Sequence, residues 1–212
     1  GLDVPPPKNK PYVVPGAQTT IKDVANFIQE FEGDFKALES LADDIKKSGA
    51  THYSARLKDQ ESLYNKMKGR LKDRSLNSVT DVIGSRALAT SIKDQKSILK
   101  KIQSTMKIEQ VDDSTDKARP DGYRAIHLLF RTPSGKLGEL QIKTHRQQVF
   151  SGFTHDAIYK GSPEIKNNPE VQKFSQAVSD YLYNQDIGKD PGERPVEPKI
   201  LQEQKLYFPW DE

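Results

Sequence analysis

The chain has 212 residues, the size of one ordinary domain. Apolar residues make up 34% and charged residues 30%, enough for a modest core beneath a heavily solvated surface. The absence of cysteine excludes disulfides, thiolate metal sites and a cysteine nucleophile, and no apolar run approaches the roughly 18 residues that cross a bilayer. His52, His127, His145 and His155 include no pair at helical zinc-ligand spacing. The net charge of +3 conceals an asymmetry, since residues 51–160 carry 21 Lys/Arg against 12 Asp/Glu and both flanks are net acidic. A basic middle attracts a polyanion, either nucleic acid or nucleotide phosphates. A merely solvated basic face has the same composition.

Residues 1–16 read as a proline-rich linker, with Pro5-Pro6-Pro7, Pro11 and Pro15-Gly16 favouring extended geometry. A helix follows Thr20, its apolar residues Ile21, Val24, Ile28, Phe31, Phe35, Leu38 and Leu41 at three- and four-residue spacings, and ends near Gly49. A second helix starts at Asp59, a plausible N-cap, and runs through Leu63, Met67 and Leu71. A β-branched strand over Val79–Thr90 precedes a helix around Ile92–Ile102 and a strand over Met106–Val111. Beyond a polar loop, Tyr123–Arg131 and Leu137–Thr144 form two strands joined at Thr132-Pro133-Ser134-Gly135. Helices over His145–Tyr159 and Pro169–Tyr183 follow, and 191–212 reads as an irregular tail. The order predicts a single α+β domain over 17–190, a mixed β-sheet flanked by helices.

Three groups of residues are equipped for chemistry. Strand alternation places Glu139, Gln141 and Lys143 on one face, and Tyr123 and His127 on one face of the hairpin partner. In isolation Glu139 also fits a half-exposed strand with polar residues outward. Asp81 supplies a second carboxylate, and two carboxylates suit Mg²⁺ with substrate phosphates and water completing its shell. Strict alternation from Asp81 to Arg86 sets these two on opposite faces unless Gly84 breaks the pleat. Third, Ser62, Lys66 and Arg70 recur every four residues along one helix face, with Arg56 and Lys58 just ahead, an arrangement for phosphates without a Walker motif.

Taken in order, Arg56-x-Lys58…Ser62…Lys66, Asp81-x-x-Gly84-x-Arg86, Gly122-Tyr123-Arg124-x-x-His127, Glu139-Leu140-Gln141-Ile142-x-Thr144 and His155-x-x-x-Tyr159-Lys160 resemble the RelA/SpoT-type alarmone synthetase domain, over a motif core of about 50–161. The resemblance implies a nucleotidyltransferase-like fold that moves pyrophosphate from ATP to the 3′-hydroxyl of an acceptor nucleotide. It implies that Arg56 and Arg86 sandwich the adenine of ATP and that Lys58, Ser62 and Lys66 hold its phosphates. Asp81 and Glu139 are the implied Mg²⁺ ligands and catalytic carboxylates, Glu139 also activating the acceptor hydroxyl. Tyr123, supported by His127 and Gln141, is the implied platform for the acceptor base.

One departure concerns the acceptor: Asp121-Gly122-Tyr123 stands where guanosine-alarmone enzymes usually carry Asn-Gly-Tyr. That departure leaves the acceptor base open. The favoured expectation is a toxin that pyrophosphorylates AMP, ADP or ATP to (p)ppApp and drains ATP. A (p)ppGpp synthetase acting on GDP or GTP, a toxin modifying the tRNA 3′-end, and a catalytically silent nucleotide- or RNA-binding module are the alternatives. The proline-rich entry and a first residue other than Met suit a domain cut from a secreted effector acting in the target-cell cytoplasm, with a dedicated immunity protein as partner. A cytoplasmic enzyme is the alternative placement.

Overall fold

The computed structural model describes residues 11–210. Five strands form one mixed sheet in the order β1-β2-β5-β4-β3: β1 (His52–Leu57), β2 (Ile83–Ala89), β3 (Lys107–Asp113), β4 (Ile126–Arg131) and β5 (Leu137–Thr144). The central β2–β5 pair is parallel, and every other pair is antiparallel. This is the expected α+β architecture with flanking helices.

Cross-strand partners share a face, so register sorts the sheet into two surfaces. On one, Ile83, Ala87, Leu140, Ile142, Leu128 and Phe130 pack with Val24, Phe27, Leu63, Met67, Ile98 and Ile102 into the main core. Those last six come from α1 (Ile21–Gln29), α4 (Gln60–Lys68) and α5 (Ile92–Thr105). The other surface carries the polar residues. A second, smaller core gathers Phe150 of α6 (His145–Phe153) with Val171, Phe174, Val178 and Leu182 of α8 (Pro169–Asp186). Burial of Asp186 ties these helices together, for its carboxylate accepts from Thr144 at 2.6 Å and Arg146 at 3.0 Å.

Several sequence expectations change. Residues 11–16 are not a linker: Pro11–Val13 form a 3₁₀ turn, and Tyr12 enters the main core against the Phe27 ring at 5.1 Å. A fixed proline φ suits a short turn as well as an extended chain. Residues 1–10 of that expectation lie outside the described residues. The single helix over 20–49 is three: α1, α2 (Glu32–Glu39) and α3 (Ala42–Lys47). Its start is as expected, since Thr20 and Asp23 form a reciprocal capping box. Strand β1 went unrecognised because its half-exposed pattern, in His52-Tyr53-Ser54-Ala55-Arg56-Leu57, holds little aliphatic signal.

The described part of the tail, 191–210, is packed rather than loose, and residues 211–212 of that expectation lie outside the described residues. Helix α9 (Lys199–Glu203), which follows α7 (Pro163–Lys166) and α8 in the chain, buries Leu201 completely, and Phe208 joins the second core. Its four prolines masked a few widely spaced anchors.

Candidate active site

The polar face is built from two adjacent rows. Arg56 of β1 pairs with Gly84 of β2, Gly84 with Glu139 of β5, and Glu139 with Leu129 of β4. Two residues further along, Ser54, Arg86, Gln141, His127 and Asp112 make the next row. Arg56 and Arg86 are thus exposed diagonal neighbours on one face, separated by about 7–8 Å at the backbone. The Arg56 guanidinium lies over Gly84, its Cζ 3.7 Å from where a Cβ would stand.

Asp81 precedes β2 rather than lying within it, so the alternation objection disappears. Its carboxylate accepts from Lys58 Nζ at 2.7 Å and sits 3.7 Å from Lys66 Nζ. Lys58 follows directly on β1, and Asp59 caps α4 by accepting from the Ser62 N–H at 2.8 Å. Burial pushes the Asp81 carboxyl up, but the Lys58 hydrogen bond and both lysine charges outweigh it and hold it below its ordinary range. Burial also lowers Lys66, aided by the charges of Lys58 and Arg70 and opposed by Asp81. Ser62 is exposed one turn before Lys66. Arg70 lies beyond the last residue of α4, so the expected three-residue stripe is shortened to two.

Glu139 joins this cluster through Thr80, whose hydroxyl donates to Glu139 Oε1 at 2.7 Å. Thr80 and Asp81 are consecutive, which brings the two carboxylates to the same end of β2. Among the described residues no cluster of three or more His, Asp or Glu side chains is placed to hold a metal alone. Two carboxylates at one end of β2 nonetheless suit Mg²⁺, which can draw its remaining ligands from substrate phosphate and water.

Arg86 and Gln141 of the second row border a cavity of about 790 Å³. Arg86, Gln141, Lys143 and Tyr123 line it from the sheet and the preceding loop, and Gln148, Ser151, His155 and Tyr159 from the helical side. Tyr123 stands just before β4, not inside a strand, yet its hydroxyl lies 2.6 Å from His127 Nε2. Burial pushes the Tyr123 phenol up to about 12 and pulls His127 down to about 4, the charges of Arg119 and Lys143 adding to the latter. The phenol is therefore protonated and donates to a neutral imidazole. Gly122 makes the turn at φ +92°, where a Cβ would come within 2.8 Å of the Phe150 ring.

Sequence reasoning assigned no role to two further groups. Lys143 is 5% exposed, lies 5.2 Å from the Tyr123 ring centroid and donates to Ser151 Oγ at 3.2 Å. Burial, reinforced by the Arg86 charge, lowers it to about 8. Its position beside Gln141 in the strand pattern was the available signal. Arg119 lies 5.0 Å from the same ring and pairs with Asp112 of β3 at 2.6 Å, a contact between loop and strand that no local pattern announces.

Residues 55–164, just over half of the chain, match the family model described as a region found in RelA/SpoT proteins. No curated protein matches the chain. Among solved structures, small alarmone synthetase 2 from Bacillus subtilis superposes with a TM-score of 0.63 at 20% identity, covering 86% of this chain and 98% of that one. Small alarmone synthetase 1 from the same organism, bound to its product pppGpp, gives 0.59 at 22% identity over 78% and 93%. The type VI effector Tas1, in complex with its immunity protein, gives 0.55 at 14% identity over 79% and 97%. These likenesses share the fold, and the family match runs through both rows of the polar face and both carboxylates. The chain accordingly belongs to the RelA/SpoT family and is a nucleotide pyrophosphokinase.

Proposed function

We propose that this enzyme transfers the β,γ-pyrophosphoryl group of ATP to the 3′-hydroxyl of an adenosine nucleotide, giving (p)ppApp and depleting ATP. The observation that carries the transferase assignment is the convergence of Asp81 and Glu139, through Thr80, beside Lys58 and Lys66. The diagonal spacing of Arg56 and Arg86 suits one flat base between two guanidinium planes, which supports their binding the adenine of ATP. Lys58, Ser62 and Lys66 then meet its phosphates. Asp81 and Glu139 are the residues that would hold Mg²⁺, which when bound offsets charge on the transferring group.

Tyr123 stacks on the acceptor base, its ring orientation fixed by the hydrogen bond to His127, and Gln141 borders the same cavity. Glu139 takes the proton of the acceptor 3′-hydroxyl as the oxygen bonds to the β-phosphorus. The bond from that phosphorus to the α–β bridging oxygen breaks, and AMP departs. Positioning and electrostatics supply most of the acceleration in such transfers.

The adenosine reading draws its support from the likeness to the type VI effector Tas1. The same likeness supports a secreted antibacterial toxin with an immunity protein as its partner. A second reading, (p)ppGpp synthesis from GDP or GTP, is favoured by the likeness to a synthetase solved with pppGpp. Incubation with Mg²⁺ and γ-labelled ATP, alone and then with GDP, GTP or deacylated tRNA, separates the readings. Labelled product from ATP alone supports adenosine acceptors. Label appearing only with GDP or GTP, or only on tRNA, replaces that reading, and no transfer at all overturns both.

A further inference from the structure

Helix α6 does not end as an ordinary helix. From Thr154 to Tyr159 the backbone widens into a π-helix, with the Lys160 N–H donating to His155 O five residues back at 3.0 Å. Gly161 follows at a point where a Cβ would stand 2.8 Å from Ala157 O, so the chain turns away at once. Such widened turns are uncommon and concentrate at functional sites.

This one carries an array of rings along the cavity. His155 and Tyr159 stack, with centroids 5.5 Å apart and planes 15° from parallel. Lys166 of α7 lies 4.7 Å from the Tyr159 centroid and has no carboxylate partner among the described residues. Tyr159 is 64% exposed although it lines the same cavity as Tyr123. A single exposed aromatic needs no explanation, but two stacked rings and a cation at a cavity mouth form a platform for a flat, anionic ligand. The same wall holds Gln148, whose shielded Oε1 lacks a hydrogen-bond partner, so this side offers polar as well as stacking capacity.

We propose that α6 and its π-helical end form a second jaw of the acceptor slot, Tyr159 covering the acceptor base from the side away from Tyr123 and Lys166 taking its 5′-phosphate. The proposal rests on reading this cavity as the acceptor site, and it holds for either purine. His155 backs the Tyr159 ring and sets its tilt.

The test compares KM for acceptor and for ATP donor in the full chain, using whichever of ADP or GDP the wild type accepts. Tyr159→Ala is expected to raise acceptor KM about tenfold, the order of effect that base–aromatic stacking produces. Donor KM should stay within twofold, and Tyr159→Phe should recover most of the loss. Lys166→Ala should raise KM several-fold for the nucleoside diphosphate but not for the corresponding nucleoside. An acceptor KM within twofold of wild type in folded Tyr159→Ala overturns the proposal, as does a rise confined to, or shared equally by, the donor. Should Tyr159→Ala misfold by circular dichroism, Tyr159→Leu carries the same readout. A wild type that transfers to neither nucleotide defeats the functional reading instead, so the two failures are distinct.

Discussion

Replacing Glu139 by Gln changes one oxygen to an amide nitrogen and leaves size and shape nearly constant. Thr80 still finds a carbonyl oxygen to donate to, and the β5 backbone pairs are untouched. Weakening that one charge-assisted hydrogen bond costs stability about 1 kcal/mol. The rate effect is much larger. A positioned general base contributes about 10²–10⁴-fold, or about 3–5 kcal/mol of barrier, and an amide cannot accept the hydroxyl proton. ATP affinity should stay within threefold, because the lysines proposed to meet its phosphates contact Asp81 and not Glu139. Single-turnover transfer at saturating labelled ATP, paired with titration of a fluorescent ATP analogue, measures the two quantities separately. Asp81→Asn is the contrast, since releasing Lys58 and Lys66 should weaken analogue binding as well as transfer. Turnover of Glu139→Gln within tenfold of wild type, with a normal analogue Kd, would falsify the assignment of Glu139 as proton acceptor.

Lys143→Met should stabilise the fold at pH 7 by up to about 3 kcal/mol while impairing acceptor use. Because the unfolded lysine binds a proton that the folded one has largely shed between pH 8 and 10.5, wild-type stability rises through that window, and the variant's advantage should fade across it in urea melts. A destabilisation independent of pH refutes the argument. His127 works on the acid side: its folded pKa of about 4 lies below the ordinary 6.5, so stability is lost as pH falls from 6.5 towards 4. His127→Gln should flatten that slope, and an unchanged slope means the histidine is not held neutral. Leu201→Ala should cost about 2–5 kcal/mol of stability, the loss expected at a fully buried leucine; a cost below about 0.5 kcal/mol means the tail is not part of the core.

The contrast between Asp59 and β1 shows what a sequence can disclose. Asp59 was readable as a cap because capping is local: its acceptor reaches the Ser62 N–H three residues on. Strand β1 was not, because an edge strand with one face in water needs few apolar residues, and its identity lies in pairing with β2, some thirty positions away. Glu139, Gln141 and Lys143 were correctly grouped by alternation, which fixes faces without knowledge of neighbours. Alternation failed for Asp81 and Tyr123, since each lies outside the strand that was drawn through it. Both residues stand on irregular backbone next to a strand, where no period applies.

That failure has a physical logic. Within β1, β2 and β5 the side chains are fixed at strand spacing, which suits the paired guanidinium groups and the Glu139–Gln141–Lys143 line. The proposed phosphate site instead draws its cations and carboxylate from strand ends and a helix. Lys58, one residue past β1, and Asp81, two ahead of β2, meet at 2.7 Å at the end of the β1–β2 ladder, where the Lys58 N–H still donates to Val82 O, while Lys66 arrives from a helix. Tyr123 similarly reaches His127 from a glycine turn whose positive φ no regular strand accommodates. The regular part of the sheet therefore supplies orientation, and the irregular ends supply proximity. It follows that insertion of one residue between Asp81 and Ile83 should abolish the Lys58–Asp81 contact and transfer together, even where the sheet itself survives.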